Sequence, residues 1–154
     1  MNKTLLDEFP LGVCQPFFAF SDQHYVKNLL KRTNEYEVFL ICWKAGQTTP
    51  IHDHPSEGCW LRVLQGSLEE TEYSNPSLQE LDHHVFCVGD YGFKRGAEIL
   101  HSIRALEDSV SVHVYYPPNH VANIYHLTTS YNLPNLPPNM RLSLPQTRRE
   151  ESPL

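Results

Sequence analysis

His52, Asp53 and His54 place two imidazoles two residues apart, with Cys59 a little further on and His101 much later in the chain. On an extended strand alternate side chains share a face, so the two histidines point one way and Asp53 the other. A third imidazole from another strand would complete a facial set of three nitrogen donors. Such a set leaves coordination positions open, as a catalytic metal requires. The pattern predicts a mononuclear metalloenzyme.

The elements that hold these residues must come from one domain, since 154 residues is enough for one substantial core and too few for two. The net charge of −6 points to neither a nucleic-acid partner nor an anionic membrane. The opening MNKTLLDEFPLG carries acidic residues where a signal peptide needs an unbroken apolar stretch, and no run approaches spanning length. The expected location is cytoplasmic. Cys14, Cys42, Cys59 and Cys87 lack paired C-x-x-C spacing and are expected as free thiols. Among the remaining histidines, His83 and His84 lie in a polar stretch and are expected at the surface, and His24, His120 and His126 have no neighbour at ligand spacing.

Residues 1–20 show scattered aromatics and no clear period, and are expected to wrap the main body. Thr33-Asn34-Glu35 is a turn signal between His24–Arg32, which periodicity leaves open as helix or strand, and the strand-like Glu37–Trp43. The combination favours a β-hairpin in which Tyr25, Lys27 and Leu29 share a face. Short strands follow at Thr49–His54, Gly58–Leu64, Ser67–Tyr73, Val85–Val88, Glu98–Ala105 and Ser109–Tyr116, punctuated by glycines and prolines. This spacing predicts an all-β sandwich or small barrel with little helix. In Ser109–Tyr116, Val110, Val112 and Val114 line one face, and Ser111, His113 and Tyr115 the other. A polar face of that kind is often the solvent side; beside a metal it supplies hydrogen-bonding support for the ligands. Trp43 is expected in the core. Residues 131–154, with Pro134, Pro137, Pro138, Pro145 and Pro153, are expected to form a proline-rich, disordered tail after a barrel domain spanning 21–130.

The span Gly46-x5-His52-x-His54-x4-Cys59-x6-Gly66 matches the first cupin motif in spacing, with cysteine where that motif carries a glutamate ligand. This replacement resembles the thiol dioxygenases, and among them the animal-type cysteine dioxygenases. Further blocks carry the likeness: Asp22 to Leu30 (DQHYVKNLL), Cys42-Trp43, Leu64 to Thr71 (LQGSLEET) and Ser111 to Pro118 (SVHVYYPP). Together they cover roughly residues 21–120. The resemblance implies a cupin fold, a double-stranded β-helix, in which His52, His54 and His101 hold one iron(II). It further implies that Cys59 and Tyr115 become joined by a thioether, that Ser111 and His113 form the hydrogen-bonded approach to Tyr115, and that Tyr116-Pro117 is a cis peptide.

The implied reaction is oxidation of a small thiol by O2 to a sulfinic acid, with L-cysteine as the leading substrate. Three neutral imidazoles leave iron(II) its full double charge, which favours a thiolate ligand. A glutamate at position 59 would oppose this. The sequence departs from the family at Lys27, which stands where cysteine-specific members carry an arginine that grips the substrate carboxylate, two residues after Tyr25. Lysine keeps the charge and loses the planar fork, which opens 3-mercaptopropionate or another mercapto-acid as substrate. The resemblance leads to the expectation of little of the family's helical segment before the barrel, and proline-rich sequence follows Tyr125 where the family continues in strands. A second reading is a non-catalytic cupin that binds metal and thiol as a sensor. A zinc hydrolase is disfavoured because no carboxylate sits at ligand spacing to serve as general base. No nucleic-acid or membrane partner is expected, and the chain is expected to be a monomer.

Overall fold

The structure is a computed structural model that describes residues 3–127 and the backbone of 146–149. Its strands are β1 (Val26–Arg32), β2 (Glu37–Trp43), β3 (Ile51–His52), β4 (Gly58–Gln65), β5 (Ser67–Ser74), β6 (Glu80–Cys87), β7 (Tyr91–Lys94), β8 (Ile99–Ala105), β9 (Ser109–Tyr116), β10 (Asn123–His126) and β11 (Gln146–Arg149). They form two antiparallel sheets, ordered β1-β2-β9-β4-β7 and β11-β10-β3-β8-β5-β6. Helix is confined to short turns at Lys3–Glu8, Leu11–Cys14 and Gln15–Phe17. The all-β architecture expected from the strand spacing is therefore the observed one. Among the described residues, no helix is long and apolar enough to cross a membrane.

Strand β9 explains how the layers stack. Its Val110, Val112 and Val114 are fully buried with Val38, Leu40 and Cys42 of β2, beneath Leu6 and Cys14 of the N-terminal segment. That segment thus covers the outer face of the first sheet, where the valine rows would otherwise meet water. The opposite face turns inward, where Ile41, Trp43, Leu61 and Val63 of the first sheet meet Leu68, Phe86 and Ile103 of the second. Ser111, His113 and Tyr115 follow the strand's period of two onto this inner face, with Ser111 and His113 buried and Tyr115 half-buried against the cavity.

The hairpin β1–β2 forms as the turn signal predicts, with Lys27 opposite Ile41 and a shift in register between Leu29 and Lys31. Leu29 lies 45% exposed, so of its row only Tyr25 and Lys27 reach the interior. Three strands escape the sequence reading, and the third, Gln146–Arg149, corrects the expectation of a disordered tail over that stretch. β7 is short and carries Gly92, and β10 is held in place by pairing with β3. Gln146–Arg149, a proline-free stretch, pairs along β10 at the sheet edge, where proline neighbours cost no central hydrogen bonds. The rest of the proline-rich tail lies outside the described residues. Tyr116-Pro117 is cis, as is Asn75-Pro76.

Gly66 makes the tight turn between β4 and β5 at φ +75°, and a Cβ there would stand 2.6 Å from the Asp108 carbonyl oxygen and 2.9 Å from Ser109 Cα. Backbone cannot yield as a side-chain tip does. Gly66→Ala is expected to cost about 2–4 kcal/mol, combining left-handed strain with overpacking. A drop in urea midpoint of matching size would show it, and an unchanged midpoint would contradict the tight approach.

Candidate metal centre

Three histidines converge at one end of the space between the sheets. His52 ends β3 and is paired across the ladder with His101 of β8. His54 lies past the end of β3, so the two motif histidines do not share one strand, as the spacing suggested. The strand stops because Pro55 brings no N–H and because Asp53, facing away, is tied elsewhere. The Asp53 carboxylate accepts the backbone N–H of Asn123 at 2.9 Å and its side-chain amide at 2.6 Å. His120, which the sequence left without a neighbour, approaches the same carboxylate at 3.1 Å. His54 N–H donates to the Gly96 carbonyl at 3.0 Å. The loop is thus tethered at each residue and delivers His54 to the same point by a different route.

The Nε2 atoms of His54 and His101 stand 2.9 Å apart, and those of His101 and His52 3.2 Å apart. The outer nitrogens decide what these atoms carry. His52 Nδ1 faces the Pro50 carbonyl at 2.9 Å, an acceptor only, so the proton sits on Nδ1. His101 Nδ1 faces the Glu70 carboxylate at 2.5 Å and likewise donates. Burial pushes the His52 imidazolium down to about 4 and holds His54 and His101 well below their usual range. Neutral His52 and His101 therefore aim two bare lone pairs at each other, an arrangement that repels without a cation between them. The donor set fits a metal ion: three imidazole nitrogens within 4.8 Å of one another, on the ligand atoms that metals use.

The same cavity is lined by Tyr25, Lys27, Cys59, His113 and Tyr115. Cys59 of β4 stands directly opposite Tyr115 of β9 in the ladder. Burial raises the Cys59 thiol to about 12 and, together with the neighbouring Cys59, lifts the Tyr115 phenol well above its usual range. Both groups are accordingly protonated near neutrality.

Behind them, Trp43 Nε1–H donates to Ser111 Oγ at 3.0 Å, and Ser111 Oγ lies 2.8 Å from His113 Nε2. Indole only donates, so Ser111 Oγ accepts from Trp43 and its contact with His113 Nε2 anchors the imidazole ring. Burial holds His113 down at about 3, so the ring is neutral. It stacks on Tyr115 with centroids 6.1 Å apart and planes 12° off parallel. Trp43 is fully buried as expected, but it is also the first link of this chain.

Lys27 projects its ammonium over the Phe39 ring at 4.1 Å and the Tyr115 ring at 4.8 Å. Burial lowers it to about 8 against the pull of Cys59 and Glu37. The Tyr25 ring packs on Trp43, and its buried hydroxyl has no hydrogen-bond partner among the described residues. An orphan phenol and a half-desolvated ammonium in one cavity are what an anionic ligand would satisfy.

Glu70 is the residue that the sequence reading missed. A carboxylate does stand against the site, on the far nitrogen of His101 rather than at a ligand position. The signal was present in Leu68-Glu69-Glu70, where a strand burying Leu68 must also turn Glu70 inward. His84, expected at the surface, is only partly exposed and approaches Glu70 at 2.7 Å.

Comparison with known proteins follows the same lines. Residues 14–127 match the family described as cysteine dioxygenase type I. Cysteine dioxygenase type 1 of Homo sapiens is 28% identical over 111 residues, covering 66% of this chain and 56% of that protein. The corresponding protein of Danio rerio is 28% identical over 116 residues with the same coverage. The chain thus spans little more than half the length of these curated relatives. Among solved structures, an RmlC-like cupin from Desulfovibrio desulfuricans superposes with a TM-score of 0.51 at 24% identity, over 65% of this chain and 89% of that one. A Klebsiella pneumoniae protein with a double-stranded β-helix domain gives 0.57 at 18% identity, over 70% and 90% of the two chains. These likenesses establish a cupin fold.

Proposed function

The chain belongs to the cysteine dioxygenase type I family, and from that premise we propose that it is an iron(II)-dependent thiol dioxygenase converting L-cysteine and O2 to cysteine sulfinic acid. The observation that carries this reading is the set of three neutral imidazoles with no carboxylate among them, facing a cavity that also holds Lys27 and Tyr25. Iron(II) held by His52, His54 and His101 would supply thiolate coordination and activation of O2. The remaining work falls to the protein. Lys27 and Tyr25 offer a charged and a neutral donor to the substrate carboxylate. Tyr115, a protonated phenol, offers a hydrogen bond to the reacting atoms, and Ser111 and Trp43 hold the His113 ring stacked against it. The apolar walls from Ile41, Leu61, Phe93 and Ile103 keep water away from the open positions.

Cys59 and Tyr115 stand directly opposite in the ladder, which supports the thioether that the family resemblance implies. Its formation joins Sγ to a phenol ring carbon and removes two hydrogens with their electron pair, which O2 accepts. A second substrate reading draws on Lys27 itself, since a single ammonium selects carboxylate position less strictly than an arginine fork. It favours a simpler mercapto-acid such as 3-mercaptopropionate.

Oxygen uptake by anaerobically iron-loaded protein tests the proposal, with cysteine, 3-mercaptopropionate and cysteamine supplied in parallel and products identified by mass. Uptake with cysteine yielding sulfinate is the expected result. Uptake confined to 3-mercaptopropionate would keep the reaction and change the substrate. No uptake with any thiol from a fully loaded sample would overturn the proposal in favour of a binding module.

A further inference from the structure

Glu70 is almost fully buried, at 1% exposed, and three nitrogens lie against its carboxylate, of which His101 Nδ1 is hydrogen-bonded to it. His101 Nδ1 lies 2.5 Å from Oε1, Lys94 Nζ 3.2 Å from Oε1, and His84 Nε2 2.7 Å from Oε2. Lys94 also meets Glu72 at 2.5 Å, and its side chain is only 14% exposed. Glu70, Glu72 and His84 stand close enough to form a metal-binding group of their own. The Lys94 ammonium already lies against both carboxylates, so the cluster has its cation.

A carboxylate accepting the outer N–H of a metal-bound imidazole makes that imidazole a stronger donor and moves it part of the way toward an anion. In a centre whose ligands are all neutral this matters more than usual. An uncompensated Glu70 would place a negative charge directly behind one ligand and weaken the attraction for a thiolate. Lys94 stands where it cancels that charge. The ladder explains the placement: Lys94 on β7 lies opposite Cys59, and Glu70 on β5 lies opposite His84.

We propose that Glu70 and Lys94 act as one neutralised pair that sets the donor strength of His101, the carboxylate fixing its orientation and the ammonium limiting the negative charge it lends to the metal. Both line the cavity behind His101 and act through that ring, Glu70 on its outer nitrogen and Lys94 on Glu70, so their role is positioning. The inference rests on His52, His54 and His101 being metal ligands.

The test uses two readouts apart from turnover: cobalt(II) titration of the metal-free protein by visible absorption, and the Fe(III)/Fe(II) midpoint potential of the iron-loaded protein. Glu70→Gln keeps an acceptor for His101 and removes the charge. It is expected to weaken cobalt(II) binding about 10–100-fold and to raise the potential. Lys94→Gln, which leaves the carboxylate uncompensated, is expected to lower the potential, and Lys94→Arg to restore it. Opposite shifts are a signature that a merely structural role would not produce. Shifts of the same sign in Glu70→Gln and Lys94→Gln, or none in either, would overturn the proposal. Should Glu70→Gln fail to fold, the Lys94→Gln and Lys94→Arg potentials decide alone: a fall that arginine reverses supports the pair, and an unmoved potential rejects it. Unmoved potentials in a protein that consumes oxygen with a thiol would reject the pair and leave the dioxygenase standing. Opposite shifts in one that consumes none would do the reverse.

Discussion

His101→Ala is expected to reduce bound iron to background and to abolish thiol-dependent oxygen uptake. Of the three histidines, His101 is the one whose Nε2 approaches both others, at 2.9 and 3.2 Å. Its removal leaves His52 and His54 as a two-nitrogen remnant that cannot form a facial set. The substitution has a second consequence that must be separated from the first. Glu70 is buried and loses its His101 hydrogen bond while keeping Lys94, and the loss of a hydrogen bond to a charged group costs about 1.5–3 kcal/mol. A lowered melting temperature in the metal-free His101→Ala protein is therefore expected in addition to metal loss. His52→Ala provides the control, because His52 donates to the Pro50 carbonyl and leaves no buried carboxylate behind. It should lose iron with little change in metal-free stability. Iron content by metal analysis and melting by circular dichroism resolve the two effects, and stoichiometric iron in His101→Ala would remove His101 from the ligand set.

Much of this architecture was readable wherever the chemistry is local. The alternation in Ser109–Tyr116 assigned both faces of β9, and the Thr33-Asn34-Glu35 turn located the first hairpin, because a strand's period and a turn's composition are written in adjacent residues. The motif histidines were legible as a group, but their mounting was not. Pro55 is a local signal for the end of β3, but the contacts with Asn123 and Gly96, distant in sequence, are what carry His54 past it. Glu70 and Trp43 were hidden for the same reason. Glu70 is 31 residues from His101, and Trp43 is 68 from Ser111. Their burial was predictable from strand periodicity, and their partners were not. Lys27 is the instructive middle case. The resemblance put it near a substrate carboxylate, and the structure adds that two aromatic rings cover its ammonium.

That cover makes Lys27 a site where stability and binding oppose each other, and it yields a pH dependence with a defined sign. Burial lowers the ammonium from 10.5 to about 8. Between these values the unfolded chain holds the proton and the folded chain has released it, so this group makes stability rise with pH across the window. Below about pH 8 the folded protein carries a charge that it holds at a cost, and an anionic substrate is the partner that would repay it. Lys27→Met is accordingly expected to stabilise the substrate-free protein below pH 8. It should also raise KM for cysteine or 3-mercaptopropionate about 10–100-fold, the range for loss of a charged hydrogen bond. The KM of the parent protein for these carboxylates should itself climb as pH passes through about 8. Cysteamine, which lacks the carboxylate, should show neither effect. Urea unfolding of the substrate-free proteins measures the stability change, and steady-state kinetics with these substrates between about pH 6.5 and 9 measure the changes in KM. A KM for the mercapto-acids that is indifferent to Lys27→Met would place the ammonium outside the substrate's reach. A parallel rise for cysteamine would assign Lys27 to shaping the cavity rather than to recognising charge.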